Sequence, residues 1–94
     1  MRSIIPQDPN RCYLCGEAAD WRGMHEHHVF FGRANRKLSE KYGLKVRLCA
    51  NCHDKVHTDI EERESLQAKV QEIAMKAYNW TIEEFRRIFG KSYV

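Results

Sequence analysis

Four cysteines in two equally spaced pairs are the residues of this chain best suited to chemistry. Cys12 and Cys15 form the first pair, and Cys49 and Cys52 form the second. Two residues between paired cysteines let one turn present both sulfurs to one ion, and structural zinc takes four such ligands in a tetrahedron. The spacing therefore predicts a closed structural Zn²⁺ site. Two disulfide bonds, which would require an oxidising compartment, or redox-active cysteines are the alternatives.

Five histidines form a second group, all of them between residues 25 and 57. His53 and His57 lie four residues apart on a predicted helix, so one face could bind an ion with both. His27 and His28 are adjacent on a predicted strand and point to opposite faces. Because four sulfurs would saturate the zinc, these histidines are free for a second, catalytic ion. Ordinary surface or core histidines, or one histidine replacing a cysteine at the zinc, are the alternatives. His25 is predicted to be exposed and has no assigned role.

Positive charge is concentrated in the same part of the chain. The whole chain carries a net charge of +3, but residues 22–58 contain eight basic residues and only three acidic ones. A polyanion such as nucleic acid is the natural partner of such a segment. A merely solvated basic surface is the alternative, since patches of this size are common.

The elements that must position these groups follow from local patterns. We expect an extended arm over residues 1–10, a cysteine turn over 11–16 and a short strand over 27–31. A helix is predicted over 33–42, ending at Gly43 as its C-cap. Residues 44–48 alternate apolar and basic side chains, which indicates a half-buried strand with Lys45 and Arg47 on its open face. A further helix should begin near residue 50 and extend through His57.

The C-terminal third has a different pattern. Apolar residues recur at helical spacing over residues 60–78, which predicts an amphipathic helix. Thr81 and Glu84 have the spacing of a capping box that opens a last helix, and this helix carries Phe85 and Phe89 among its apolar residues. These stripes predict core packing by two supporting helices. With 94 residues, the chain is expected to be one small α+β zinc-binding domain, with a core at about 11–58 and helical support at about 60–90.

The combined motifs resemble the HNH endonuclease family, in particular the small zinc-ribbon members encoded by phages and prophages. The resemblance covers about residues 11–58: the first cysteine pair, the run Glu26-His27-His28-Val29, and Leu48-Cys49-Ala50-Asn51-Cys52-His53 followed by His57. It implies a treble-clef-like ββα-metal core, in which a hairpin and a helix hold one divalent cation.

The resemblance also implies roles for individual residues. His28 matches the general base, and His27, His53 and His57 match the ligands of a catalytic Mg²⁺, Mn²⁺, Ni²⁺ or Zn²⁺. One position departs from the family, because Leu44 stands where relatives carry an asparagine that orients the base. Asn35, on the other side of the loop, is the candidate to replace that asparagine.

A metal-dependent DNA endonuclease is therefore the expected function, cutting one or both strands of double-stranded DNA. Six basic residues are expected to contact phosphates around the hairpin: Arg33, Arg36, Lys37, Lys41, Lys45 and Arg47. A zinc-stabilised binding module without catalysis is one alternative. A phage packaging or assembly factor, whose last helix binds a protein partner, is another. With no signal peptide or membrane span expected, we predict a cytoplasmic protein.

Overall fold

A two-stranded antiparallel hairpin lies at the centre of the fold. The computed structural model describes residues 2–94. In it strand β1 (Met24–His28) pairs with strand β2 (Lys45–Cys49), from Met24 opposite Cys49 to His28 opposite Lys45. Val46 and Leu48 of β2 are buried, as their alternation predicts. The hairpin thus places the three histidines of β1 against the strand that ends at the second cysteine pair.

Two helices belong directly to this hairpin. Helix α1 (Arg33–Tyr42) forms the connection between the strands and ends at Gly43, whose φ of 71° is the left-handed conformation expected of a C-cap glycine. Helix α2 (Ala50–Thr58) begins immediately after β2. Both helices match the predicted elements to within about one residue.

Two C-terminal helices pack against this unit. Helix α3 (Ile60–Tyr78) is capped by Asp59, whose carboxylate accepts from two backbone N–H groups of the first turn. Helix α4 (Ile82–Phe89) opens with the predicted capping box of Thr81 and Glu84. The spacing of apolar residues and the capping signals therefore located both helices correctly.

The core joins the hairpin to the C-terminal helices through aromatic rings. Phe30 and Phe85 are both fully buried, with ring centroids 5.3 Å apart, and Phe89 stacks on Phe85 at 4.6 Å. Ile88 and Tyr93 pack partly buried against the same cluster. The apolar face of α4 is thus used within the chain, so it does not support the hypothesis that this helix binds a protein partner.

The first strand was predicted too far along the chain. It was expected at residues 27–31 but lies at Met24–His28, because the ladder ends where His28 faces Lys45. Phe30 is buried next to the strand, but its backbone N–H and C=O both bond to the Ser39 hydroxyl of α1, at 3.2 and 2.6 Å. The Ser39 hydroxyl therefore takes the place of interstrand hydrogen bonds at Phe30. The apolar residues that follow His28 do not extend the strand, although their β-forming character predicted that they would.

The architecture is thus a small compact α+β fold with one two-stranded sheet and four helices. None of the helices within residues 2–94 has the length and apolar character that crossing a bilayer requires.

Candidate metal centres and the histidine site

The four cysteines converge on one point. Their Sγ atoms all lie within 4.8 Å of one another, and Cys15 Sγ is 3.8 Å from Cys49 Sγ. Tetrahedral zinc with Zn–S bonds of about 2.3 Å places its sulfurs about 3.8 Å apart. A disulfide needs about 2.05 Å, and all four cysteines are free thiols. The cluster therefore fits a structural ion such as zinc and not the two disulfides.

Local backbone structure aims the sulfurs at each other. In the first pair, Gly16 N–H donates to Cys12 C=O at 2.9 Å and closes the turn. In the second pair, Cys49 is both the last residue of β2 and the N-cap of α2, where its Sγ accepts from Cys52 N–H at 3.4 Å. The four sulfurs thus bring the turn of the first cysteine pair next to the junction between β2 and α2.

The thiols also influence one another's ionisation. Burial tends to raise the pKa of Cys12, but backbone N–H groups, those of Cys15 and Cys49 first, lower it to about 6. Burial and the neighbouring thiols raise the pKa of Cys52. Four clustered thiols cannot all ionise beside each other without a cation, and a divalent ion supplies the missing positive charge.

Three histidines form a second candidate centre, as their sequence positions suggest. One ring nitrogen from each of His27, His53 and His57 lies within 4.8 Å of the others, and the two Nε2 atoms of His53 and His57 are 3.2 Å apart. His27 comes from β1 and is buried, whereas the other two come from α2, where His57 is exposed. The three rings could hold an ion that stays open to solvent on one side.

Burial keeps two of these rings, His27 and His53, in the form that binds metal. The pKa of His27 is lowered to about 4, first by burial and then by the neighbouring His53 and His57. Burial also lowers the pKa of His53, with His57 and His25 adding to the effect. Both rings are therefore neutral near pH 7, and a neutral imidazole is a ligand for Mn²⁺, Ni²⁺ or Zn²⁺.

His25 was predicted to be exposed and had no assigned role, and the predicted exposure was wrong. It is half-buried, and its Nδ1 lies 3.0 Å from Nδ1 of His53. When His53 donates from Nδ1, its Nε2 carries the lone pair that faces His57. The missed signal is strand alternation, because His25 and His27 lie two residues apart on one face of β1.

His28 lies on the opposite face of β1 from His27, as predicted, and contacts a different set of residues. Its Nε2 is 2.8 Å from Glu40 Oε2 of α1. It nevertheless lines the cavity of about 290 Å³ that also includes His27, His53 and His57. The candidate base and the candidate metal ligands thus border one cavity, in which Arg36 is the basic lining residue.

Lys45 was expected on the open face of β2, but it is buried. Its Nζ lies 3.1 Å from Glu40 Oε2 and 3.6 Å from Glu26 Oε1. Two carboxylates therefore compensate the buried ammonium, and Lys45 is not placed to contact phosphate. The same ammonium stands where a cation would have to bind if Glu26, His28 and Glu40 formed a metal site.

The other five predicted phosphate contacts are exposed: Arg33, Arg36, Lys37 and Lys41 on α1, and Arg47 on β2. Three of the α1 side chains, at positions 33, 36 and 37, line a depression of about 580 Å³ together with His28 and Glu40. A basic surface thus adjoins the candidate base.

Neither Asn35 nor Leu44 has a hydrogen bond to the ring of His28 in the described part of the chain. Asn35 Nδ2 donates to the Phe89 carbonyl at 3.3 Å and so fastens α1 to α4, which corrects its predicted catalytic role. Leu44 is fully buried, and its carbonyl accepts from Val29 N–H at 3.1 Å. Glu40, which sequence reasoning did not select, is the residue that holds His28.

Comparisons of the chain with protein-family models, with curated proteins and with solved structures found no significant match. The cysteine cluster, which could bind a metal such as zinc, and the adjoining histidine cluster are therefore the features from which a function has to be argued.

Proposed function

We propose that this chain is a metal-dependent DNA endonuclease of the HNH type, with a treble-clef-like ββα-metal core. In this proposal His28 is the general base, and His27, His53 and His57 hold a divalent cation. The observation that carries it is the shared cavity, in which three imidazole nitrogens converge beside a fourth histidine that stays outside their cluster.

The donor set fits such an ion. Three imidazole ligands would leave coordination positions open for water and phosphate oxygen, whereas the four sulfurs would leave none. A bound divalent cation would act as a Lewis acid on the scissile phosphate and stabilise the leaving 3′ oxygen. The two clusters thus divide the work between a closed structural ion and an open catalytic one.

The chain's own groups supply the remaining chemistry. His28 accepts a proton from the attacking water, since a neutral imidazole is a suitable base near pH 7. Arg36, which lines the cavity, pairs with a phosphate oxygen. Other basic residues of α1 hold the neighbouring phosphates without reading bases, so the protein cuts with weak sequence preference.

A nicking assay tests the catalytic part. Zinc-loaded protein is incubated with supercoiled plasmid and Mg²⁺, Mn²⁺, Ni²⁺ or Zn²⁺, with a chelator control and the His28→Ala variant. We expect nicking that needs the added ion and falls by about 10²- to 10⁴-fold in the variant, the usual contribution of a general base. Nicking that persists in His28→Ala would remove the base assignment.

A salt titration tests the DNA contacts. The double change Arg36→Gln, Lys37→Gln is compared with Arg86→Gln, Lys91→Gln, a matched control that removes the same charges from an exposed surface of the C-terminal part. Each lost phosphate contact lowers the slope of log K against log salt by about 0.9. We expect a change of about 2 for the first variant and almost none for the control. Equal slopes would place the DNA elsewhere.

Leu44 supports a second candidate, a zinc-stabilised nucleic-acid-binding module without catalysis. This residue replaces the asparagine that the resemblance expects, and its side chain is buried in the core. Such a module would bind the plasmid with the same salt dependence but would nick it with none of the four ions.

A further inference from the structure

The orientation of His28 raises a question that the proposed function leaves open. A general base must present a lone pair to water in a fixed direction, and the asparagine expected to arrange this is absent. The structure offers another group in contact with the ring. Glu40 reaches from α1 to β1 and places Oε2 2.8 Å from His28 Nε2, and the His28 side chain is only 16% exposed.

Chemistry sets the direction of this hydrogen bond. An ionised carboxylate only accepts, so His28 Nε2 must carry the proton. A neutral imidazole has one N–H and one lone pair, and the lone pair then lies on Nδ1. The bond to Glu40 thereby selects one of two tautomers and fixes the plane of the ring.

Lys45 keeps Glu40 ionised and in place. Its buried Nζ lies 3.1 Å from Glu40 Oε2 and 3.3 Å from Oε1, and it reaches Glu40 from β2. The bond to His28 is the largest cause that lowers the pKa of Glu40, to about 2, and the bond to Lys45 contributes to the same effect. The carboxylate thus remains an acceptor throughout the pH range in which a histidine can act as a base.

We propose that Glu40 is a positioning residue that holds His28 as the Nε2–H tautomer, with Nδ1 as the basic atom, and so replaces the missing asparagine. Lys45 in turn holds Glu40. Contacts between side chains of β2, α1 and β1 therefore fix the orientation of the His28 ring. This inference rests on the proposed endonuclease function. It explains why Leu44 can be an apolar core residue without leaving the base unsupported.

Kinetics distinguish positioning from simple electrostatics. Removing a negative charge beside bound DNA should by itself tighten binding and leave kcat unchanged. Loss of the correct tautomer should lower kcat, as it does by about 10⁴-fold in the well-studied serine protease triad. Glu40→Gln keeps the size of the side chain, but its one oxygen must accept from the buried Lys45 ammonium, so the amide N–H₂ is left to face His28 Nε2 and favours the wrong tautomer. We expect kcat to fall by about 10²-fold or more with KM unchanged or lower.

Glu26→Gln is the matched control. Glu26 is also a carboxylate partner of Lys45, at 3.6 Å, but it makes no hydrogen bond to His28 in the described structure. The control removes the same charge from the same surroundings, and we expect its kcat to stay close to that of the wild type. Equal losses in the two variants would show a charge effect and overturn the positioning role.

Nitrogen-15 NMR of the imidazole rings gives a readout that does not depend on catalysis. In zinc-loaded wild-type protein, His28, assigned by its absence in His28→Ala, should show a protonated Nε2 and an unprotonated Nδ1. In Glu40→Gln the two shifts should move toward the average of a tautomer mixture. A mixture already present in the wild type would overturn the inference, and that measurement requires no variant of Glu40 to fold.

The two proposals fail in different ways. If wild-type protein nicks DNA and Glu40→Gln does so at the same kcat, only the positioning role is lost. If wild-type protein fails to nick DNA with any of the added divalent ions, the proposed endonuclease function is refuted. The positioning role of Glu40 in catalysis is then refuted with it.

Discussion

Replacing His25 with alanine should weaken the histidine site without unfolding the protein. His25 Nδ1 lies 3.0 Å from His53 Nδ1. For His53 to bind metal through Nε2, its Nδ1 must carry the proton and donate to His25. A metal-bound histidine is commonly oriented in this way by a partner at its other nitrogen. In the proposed site, His25 would therefore act on a bound ion through His53.

The expected loss follows from that one contact. A neutral hydrogen bond contributes about 1 kcal/mol net, which corresponds to about five-fold in affinity. Without this bond His53 divides between two tautomers, which lowers the affinity for the metal by about another two-fold. The product is about ten-fold, at the lower end of the roughly 10- to 100-fold usually lost when such a partner is removed.

Nickel titration of the zinc-loaded protein measures this loss. Zinc retained by the cysteines leaves the histidines as the site that is titrated, and His53→Ala verifies that the nickel binds there. His25→Gln is the control, because its side-chain oxygen can still accept from His53 and should restore most of the affinity. The reasoning is refuted if His25→Ala binds nickel as tightly as the wild type while His53→Ala does not bind it.

Three further predictions concern the fold. Cys49→Ser removes one of the four candidate zinc ligands, whereas the serine hydroxyl can still cap α2, so we expect loss of zinc and of the cooperative thermal transition; an unchanged melting curve would exclude a structural ion. Phe85→Ala empties a fully buried ring site between Phe30 and Phe89 and should lower the free energy of unfolding by about 3–5 kcal/mol in urea titrations. Acid should destabilise the fold through His27, whose pKa is about 4 when folded and about 6.5 when unfolded. The unfolded chain binds more protons between these values, so stability falls as the pH falls, by about 2 kcal/mol between pH 7 and 5. His27→Asn, measured over the same range, should lack this loss, and equal slopes for the two proteins would contradict the pKa assignment.

Local patterns predicted most of the fold because the forces behind them are local. The capping box at Thr81, the glycine that ends α1 and the helical spacing of apolar residues in α3 all act within a few residues. The boundary of β1 could not be predicted in this way. It depends on the Ser39 hydroxyl, which bonds the backbone of Phe30 from nine residues away.

The same difference between local and long-range signals applies to the candidate site. Cysteine pairs and the spacing of His53 and His57 are local signals, and they located both clusters. The roles of Glu40 and Lys45 could not be predicted from local signals. They arise only when α1 folds back across the hairpin and brings a carboxylate to His28 and to a buried ammonium. On the sequence alone, each is one more charged residue in a basic segment.

The junction at Cys49 also restricts how this chain can change over evolutionary time. Helix α2 is tied at its first turn by Cys49 and Cys52, and His53 and His57 extend from the same helix. Because a helix turns by about 100° per residue, inserting one residue after Cys52 would swing both histidines away from His27 while leaving the sulfurs in place. Insertions should therefore be tolerated in the turn before β1 but not within residues 49–57, so the length of this segment is a constraint as strict as the identity of its ligands.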